Sequence, residues 1–163
     1  MPSWPNGRYL VVVVLALCCG IEDQEPSLPR AIQLGKSVEA LRPLIEQDCH
    51  RTEELHYTGE MAAPFDEQVQ VDCAGLEVFG ARRNVEFMFD DGPLGHVWVH
   101  IRGAEVAELR GNLERTFGQV VYETEVDKVF ASGTVALRLS PPEVLVATPD
   151  FLAELTGYRE GNR

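Results

Sequence analysis

The sequence predicts an α+β fold in which helices alternate with runs of antiparallel strands. Two observations predict it. Apolar residues recur at helical spacing in two separate segments, and after each of these segments they alternate with polar residues at strand spacing, with short turns in between. The predicted order is helix, three strands, helix, three strands, helix, and the restart of the pattern raises the hypothesis of a duplication.

The first helix is predicted to follow Gly35, with Ser37 as its N-cap. One apolar stripe supports it, made of Leu34, Val38, Leu41, Ile45 and Cys49. Pro43 lies inside the stripe and lacks a backbone donor, so we expect either a kinked helix or two short helical pieces.

Alternation of apolar and polar residues predicts the first group of strands, at residues 68–73, 76–79, 84–90 and 96–101. Ala74 and Gly75 form the predicted turn between the first two of these runs, and residues 91–93 form another turn. Because the turns are short, we expect an antiparallel meander.

A second apolar stripe at residues 106–117 predicts a helix that stops at Gly118. Further strands are predicted at residues 119–124, 126–131, 134–140 and 143–147. The order Thr148, Pro149, Asp150 then supplies a cap, a first-turn proline and an acidic residue for a last helix that ends at Gly157.

The first residues resemble a secretory signal. Arg8 precedes an uninterrupted apolar run at residues 10–17, which is too short to span a bilayer, and Cys18, Cys19 and Gly20 follow it. We therefore predict a signal peptide at residues 1–18, a polar tether at 19–30 and one α+β domain at 31–158, with two candidate repeats at 31–102 and 103–158.

Two routes of cleavage are open. Residues 16–19 resemble a loose bacterial lipobox, in which Cys19 becomes the lipidated first residue. Ordinary cleavage after Cys18 or Gly20 would instead leave a soluble protein. Lipidation at Cys19 leaves Cys49 and Cys73 as an even pair, and an exported chain favours a disulfide between them because both lie on predicted core faces.

Composition narrows the classes of partner. The formal net charge is −12 and the basic residues are scattered, which argues against nucleic acid binding. No phosphate-binding loop, nucleophile motif or Cys-x-x-Cys pair occurs, so we expect no cofactor and no enzymatic activity. The expected location is the periplasm or outer membrane, with membrane contact only through a lipid anchor.

The run from Gly35 to Leu41, leading into an antiparallel meander, resembles the exported modules of the SmpA/OmlA type. The resemblance implies a lipoprotein of outer-membrane protein assembly. The tandem version of such modules resembles the β-lactamase-inhibitor-protein fold.

The candidate binding residues are His96, Trp98 and His100, which alternate with core positions and so share the opposite face of their strand. Met88 and Glu86 are their predicted neighbours on the adjoining strand. On a strand the two histidines stand about 13 Å apart, too far for one metal ion. We expect this face either to bind a protein partner in the cell envelope or to be covered by another element; the alternative functions are a periplasmic small-ligand or glycan binder and an inhibitor of a secreted enzyme.

Overall fold

The structure is a computed structural model that describes residues 27–157. The predicted signal peptide at residues 1–18, the lipidation site Cys19 and the tether up to residue 26 lie outside the described residues, as do residues 158–163. In the described part of the chain, no helix is long and apolar enough to cross a membrane.

The described chain folds into three α-helices and one eight-stranded sheet. The helices are α1 (Val38–Asp48), α2 (Val106–Phe117) and α3 (Pro149–Thr156). The first four strands are β1 (Arg51–Thr58), β2 (Glu67–Val78), β3 (Ala81–Asp90) and β4 (Leu94–His100). The last four are β5 (Val120–Glu123), β6 (Asp127–Phe130), β7 (Val135–Leu139) and β8 (Pro142–Ala147).

All neighbouring strands are antiparallel, in the order β1-β2-β3-β4-β8-β7-β6-β5. Helices together with an antiparallel sheet make the fold α+β. Four strands follow each of the first two helices, one more than in the predicted order, and the two groups join where β4 pairs with β8. The fourth strand after α2 is β8, which matches the predicted run at residues 143–147. The extra strand in the first group is β1, for which no strand was predicted.

Gly75 lies inside β2 and does not form the predicted turn. The register between β2 and β3 shifts between Ala74 and Leu76, so residues 67–78 are one strand with a bulge. Gly75 has a φ of +84°, and a Cβ there would stand 2.4 Å from Cδ2 of His50. The bulge therefore needs a residue without a side chain, both for its backbone angle and for the close approach of the His50 ring.

Helix α1 is continuous through Pro43, so the prediction of two helical pieces is wrong. Ser37 caps the helix as predicted, accepting a hydrogen bond from the Ala40 backbone N–H. Leu41 and Ile45 are buried on the core side, whereas Pro43 is exposed. The carbonyl that loses its partner is that of Glu39, also exposed, and water can satisfy it there.

The two sheet faces are covered to different extents. Leu41 and Ile45 of α1 and Leu109 and Leu113 of α2 share one large apolar cluster with core-facing strand residues such as Phe87. Leu152 of α3 belongs to a second, smaller cluster, which contains Val129, Ala136, Leu145 and Ala147. Because these residues alternate with the members of the first cluster along their strands, α3 lies on the face opposite α1 and α2.

The predicted disulfide between Cys49 and Cys73 is confirmed. Cys49 is the C-cap of α1 and Cys73 is buried on β2, with the two Cα atoms 5.6 Å apart. The bond fastens the end of α1 to the sheet and closes a loop between residues that are 24 positions apart. Loop closure of this length restricts the unfolded chain.

Candidate functional site

The predicted site residues do share one face of the sheet. Opposite residues in the register lie on the same side, and the structure pairs Glu86 with Trp98 and Met88 with His96. His100 lies two residues beyond Trp98 on β4, so it points to the same side. This is the face on which α3 lies.

Helix α3 covers one end of that face, which is one of the two expectations stated for it, and both His96 and Met88 are buried. His96 is 5% exposed and Met88 is 8% exposed. The ring of Phe151, on α3, stacks on the His96 ring with centroids 3.9 Å apart and an interplanar angle of 15°. An imidazole placed between a sheet and a helix in this way serves packing, and no partner can reach it while α3 is docked.

Asp90 and Gln68 complete a polar cluster around His96 that the sequence did not predict. Nδ1 of His96 lies 3.0 Å from Oδ2 of Asp90, and both residues are buried. Oδ1 of the same carboxylate accepts a hydrogen bond of 2.7 Å from Nε2 of Gln68. The carboxylate therefore joins β2, β3 and β4 and orients the imidazole against α3.

Trp98 lies at the border between the covered and the uncovered part. It is partly buried against the cluster that contains Leu145 and Leu152. The guanidinium carbon of Arg138, on β7, lies 4.3 Å from the centroid of the Trp98 ring, a cation–π contact. Arg138 in turn is held by two carboxylates, Asp127 at 3.5 Å and Glu143 at 3.6 Å.

His100 lies beyond the covered end, and its side chain is 42% exposed. Its Nε2 lies 2.9 Å from Oε1 of Glu86, and its Nδ1 lies 3.5 Å from Oε1 of Glu143. The imidazole therefore bridges carboxylates on the two neighbouring strands. Glu143 therefore contacts both His100 and Arg138 at the border of the covered region.

Toward β1 the same face is uncovered and acidic. The register aligns Glu53 with Asp72, Asp72 with Glu86, and Glu86 with Trp98, so three carboxylates and an indole cross four strands in one row. Gln70 donates to Asp72 at 2.7 Å, and Tyr57 donates to Gln70 at 3.3 Å. We call this surface the open face; its members are Glu53, Tyr57, Gln70, Asp72, Glu86, Trp98 and His100.

The chemistry available on the open face is recognition through charge and aromatic contact. Like charges directly opposite each other on a sheet repel, so the row of Glu53, Asp72 and Glu86 destabilises the isolated fold. Within residues 27–157, no group of three or more histidine, cysteine, aspartate or glutamate side chains is placed to hold a metal ion. A basic group from outside would relieve the repulsion.

His50, next to the disulfide, takes part in a separate contact with a structural role. Its Nε2 lies 2.8 Å from Nη1 of Arg82, and Arg82 also donates to the carbonyl of Gly75 at 3.4 Å. Since a guanidinium can only donate, Nε2 of His50 accepts and the ring proton is on Nδ1. His50 and Arg82 border an open cleft of about 1530 Å³ between the ends of α1 and α2.

Comparison of the chain with protein-family models, curated proteins and solved structures finds no match in any of the three.

Proposed function

We propose that this chain is a non-enzymatic protein of the cell envelope that binds another protein through the open face. The observation that carries the proposal is the row of Glu53, Asp72 and Glu86, which ends at Trp98. A fold that leaves like charges side by side on an uncovered sheet gains stability when an oppositely charged partner covers them.

Charge complementarity defines the partner's chemistry. The complete chain carries a formal charge of −12, so a basic partner is also attracted at long range, which speeds its association. Trp98 supplies an aromatic group beside the carboxylates, and aromatic side chains are common anchors at protein interfaces. The expected partner surface therefore combines lysine or arginine side chains with an apolar group.

A glycan or small ligand is a weaker candidate because the Trp98 ring is already occupied. Sugars stack on the faces of aromatic rings, and the guanidinium of Arg138 lies over the Trp98 ring at 4.3 Å. Arg138 is itself held by Asp127 and Glu143, so a sugar would have to displace a paired cation from that face.

The cellular context is part of the same proposal. The signal-like residues 1–18 and Cys19 support export, with lipidation as one outcome. The segment Gly35–Leu41 and the helix that leads into an antiparallel meander support kinship with SmpA/OmlA-type modules. The order of one helix and four strands, followed by another helix and four strands, supports the duplication hypothesis.

A crosslinking experiment with charge-reversal variants tests the proposal. A photoreactive residue in place of His100, whose side chain is 42% exposed on β4 and away from the edge strand, should crosslink the exported chain to one protein in envelope extracts. The double variant Asp72→Lys with Glu86→Lys should abolish that product. The matched control is Glu60→Lys with Glu125→Lys, which makes the same change in net charge at exposed positions outside the open face.

The outcomes separate the candidate functions. Loss of the product in the open-face variant, with retention in the control, supports the proposal. Equal loss in both variants would mean that only net charge matters, and no loss in either would place the site elsewhere. If the crosslinked partner is a secreted enzyme, its activity with and without this chain tests the inhibitor hypothesis.

A further inference from the structure

Strand β1 forms one edge of the sheet and is unusually regular for an edge. All eight of its residues pair with β2, without a register shift. On its other side, no strand among residues 27–157 pairs with it. The opposite edge strand, β5, has only four residues and a shift between Val120 and Tyr122. A long, straight edge leaves a row of backbone donors and acceptors available to another strand.

The sequence of β1 complements itself when two copies run antiparallel about Leu55. In that register Leu55 faces Leu55 of the second copy, and Glu54 faces His56 of the second copy. The outer pairs match as well: Glu53 faces Tyr57, and Thr52 faces Thr58. The pairs set leucine opposite leucine, carboxylate opposite imidazole, carboxylate opposite phenol, and threonine opposite threonine, so no pair places two like charges opposite each other.

Other registers are less favourable. Centring the pair on Glu54 places two carboxylates directly opposite each other, and centring it on His56 places two imidazoles opposite each other. If the axis lay between two residues, such as Glu54 and Leu55, core-side residues would stand opposite residues of the open face, since successive side chains point to opposite sides. The pattern of β1 therefore selects the register at Leu55.

The charges near this edge are also balanced, although the chain as a whole is strongly acidic. Glu54 is paired within its own chain to Arg42 at 2.5 Å and to His56 at 2.8 Å. The His56 side chain is 66% exposed, so it is free to face a second copy. Arg42 and His56 therefore offset Glu54 at this edge, and Glu53, the other carboxylate of β1, faces Tyr57 of the second copy and no carboxylate in the Leu55 register.

We propose that β1 pairs with β1 of a second copy across a two-fold axis at Leu55, joining two eight-stranded sheets into one. An isologous interface of this kind closes on itself and gives a dimer, not a filament. The two-fold axis stands perpendicular to the sheet, so both open faces lie on the same side of the dimer. This inference does not depend on the proposed function, because it rests on the free backbone edge of β1. Glu53 and Tyr57 belong to both surfaces, whereas Asp72, Glu86 and Trp98 of the open face lie on the inner strands β2, β3 and β4.

Register-specific disulfide crosslinking of the processed protein, purified from a host that exports it, tests the inference. In the proposed dimer the Cα atoms at position 55 lie about 5 Å apart, within disulfide range, whereas those at position 53 lie about 13 Å apart along the strands. Under mild oxidation, Leu55→Cys should give a covalent dimer on a non-reducing gel, and Glu53→Cys should give at least about tenfold less. Equal yields at the two positions, or no dimer at position 55, would overturn the register.

Sedimentation equilibrium measures the strength of dimerisation and tests the inference independently of crosslinking. His56→Glu places two carboxylates opposite each other on both sides of the axis, and should weaken dimerisation by about tenfold or more. The matched variant His56→Lys keeps the attraction to Glu54 and should leave the dimer close to wild type. A monomeric wild-type chain at concentrations up to about 100 μM would refute the dimer, even if the open face still captures its partner. The two proposals can therefore fail separately.

Discussion

Gly95 lies so close to Asp90 that a Cβ on Gly95 would stand 2.1 Å from Oδ2 of Asp90. That oxygen is also the one that faces Nδ1 of His96, and Oδ1 of the same carboxylate accepts from Gln68. The carboxylate is held from two sides and cannot swing away without breaking both contacts. Gly95 is therefore required because the polar cluster leaves no room beside it, and its φ is not in the left-handed region.

Gly95→Ala should lower the free energy of unfolding by about 2 kcal/mol, because the added methyl group displaces a buried, hydrogen-bonded carboxylate. Urea unfolding followed by circular dichroism measures the change. Gly103→Ala is the control, since a Cβ at Gly103 meets nothing within 4 Å, and it should change stability by less than about 0.5 kcal/mol. Similar effects of the two substitutions would show that the carboxylate is not fixed as the structure indicates.

The Cys49–Cys73 bond should contribute roughly 3 kcal/mol, the value expected for closing a loop of this length in the unfolded chain. The double variant Cys49→Ser with Cys73→Ser should show that loss in urea unfolding. In the wild-type protein, alkylation without a reductant should label neither cysteine. Strong labelling of both in folded, exported protein would contradict the bond.

Acid should destabilise the protein in part through Glu105, at the start of α2. Side-chain hydrogen bonds from Arg102 and then Arg83, with a backbone hydrogen bond from Arg102, lower the pKa of Glu105 to about 2 from an ordinary value of 4.5. The folded state therefore binds this proton less readily than the unfolded state. The stabilisation is complete above about pH 4.5 and is lost as the pH falls toward 2.

Glu105→Gln should accordingly flatten the fall of the urea midpoint between pH 5 and pH 2. The carboxylate that it removes connects α2 to β3, because Oε2 of Glu105 lies 2.7 Å from Nη1 of Arg83, whose side chain is 8% exposed. Glu108→Gln changes an exposed carboxylate on the same helix and should keep the wild-type slope. A wild-type slope in Glu105→Gln would show that a lowered pKa of Glu105 does not contribute to the acid dependence.

Trp98→Ala should reduce stability as well as partner capture. Since the indole is partly buried in the cluster under α3 and carries the Arg138 guanidinium, its loss should cost about 2 to 4 kcal/mol. Trp98→Phe keeps an aromatic ring in the cluster and should cost less. A change below about 0.5 kcal/mol for Trp98→Ala would mean that the side chain is not packed as the structure has it. Open-face variants at Asp72 and Glu86 are therefore the better probes of binding.

Local signals in the sequence predicted the helices well and the coverage of the sheet poorly. Ser37, Thr148 and Gly157 are capping residues whose effect is local, and each lies at the helix end that it predicted. The burial of His96 depends on Phe151, which is 55 positions away in the chain, and no local pattern carries that information. Period-2 alternation predicted that His96, Trp98 and His100 share a face, but alternation does not determine what covers the face.

Strand β1 was missed for a related reason. An edge strand packs on one side only, and the burial of Arg51–Thr58 is shallow, with no residue fully buried. Its glutamates and histidine are typical of exposed positions, so the run lacks the apolar alternation that predicted β2. The polar residues that prevented the prediction of β1 are the same residues that make its edge self-complementary.

The last prediction concerns the four cysteines and the N-terminal segment. With Cys49 and Cys73 joined, the state of Cys18 and Cys19 distinguishes the routes of processing. Lipidation at Cys19 should give a chain that lacks residues 1–18, carries added acyl mass and has no free thiol. Cleavage after Gly20 should give no acyl mass and no free thiol, whereas cleavage after Cys18 without lipid leaves one free thiol at Cys19.

Intact-mass analysis and thiol titration under denaturing conditions, on protein from a host that exports it, separate these outcomes. Cys19→Ser is the matched variant. If lipidation is the route, the variant should lose the acyl mass. If cleavage follows Gly20, the product does not contain residue 19, so the variant and the wild type should give products of the same mass. A product that keeps residues 1–18 would contradict export.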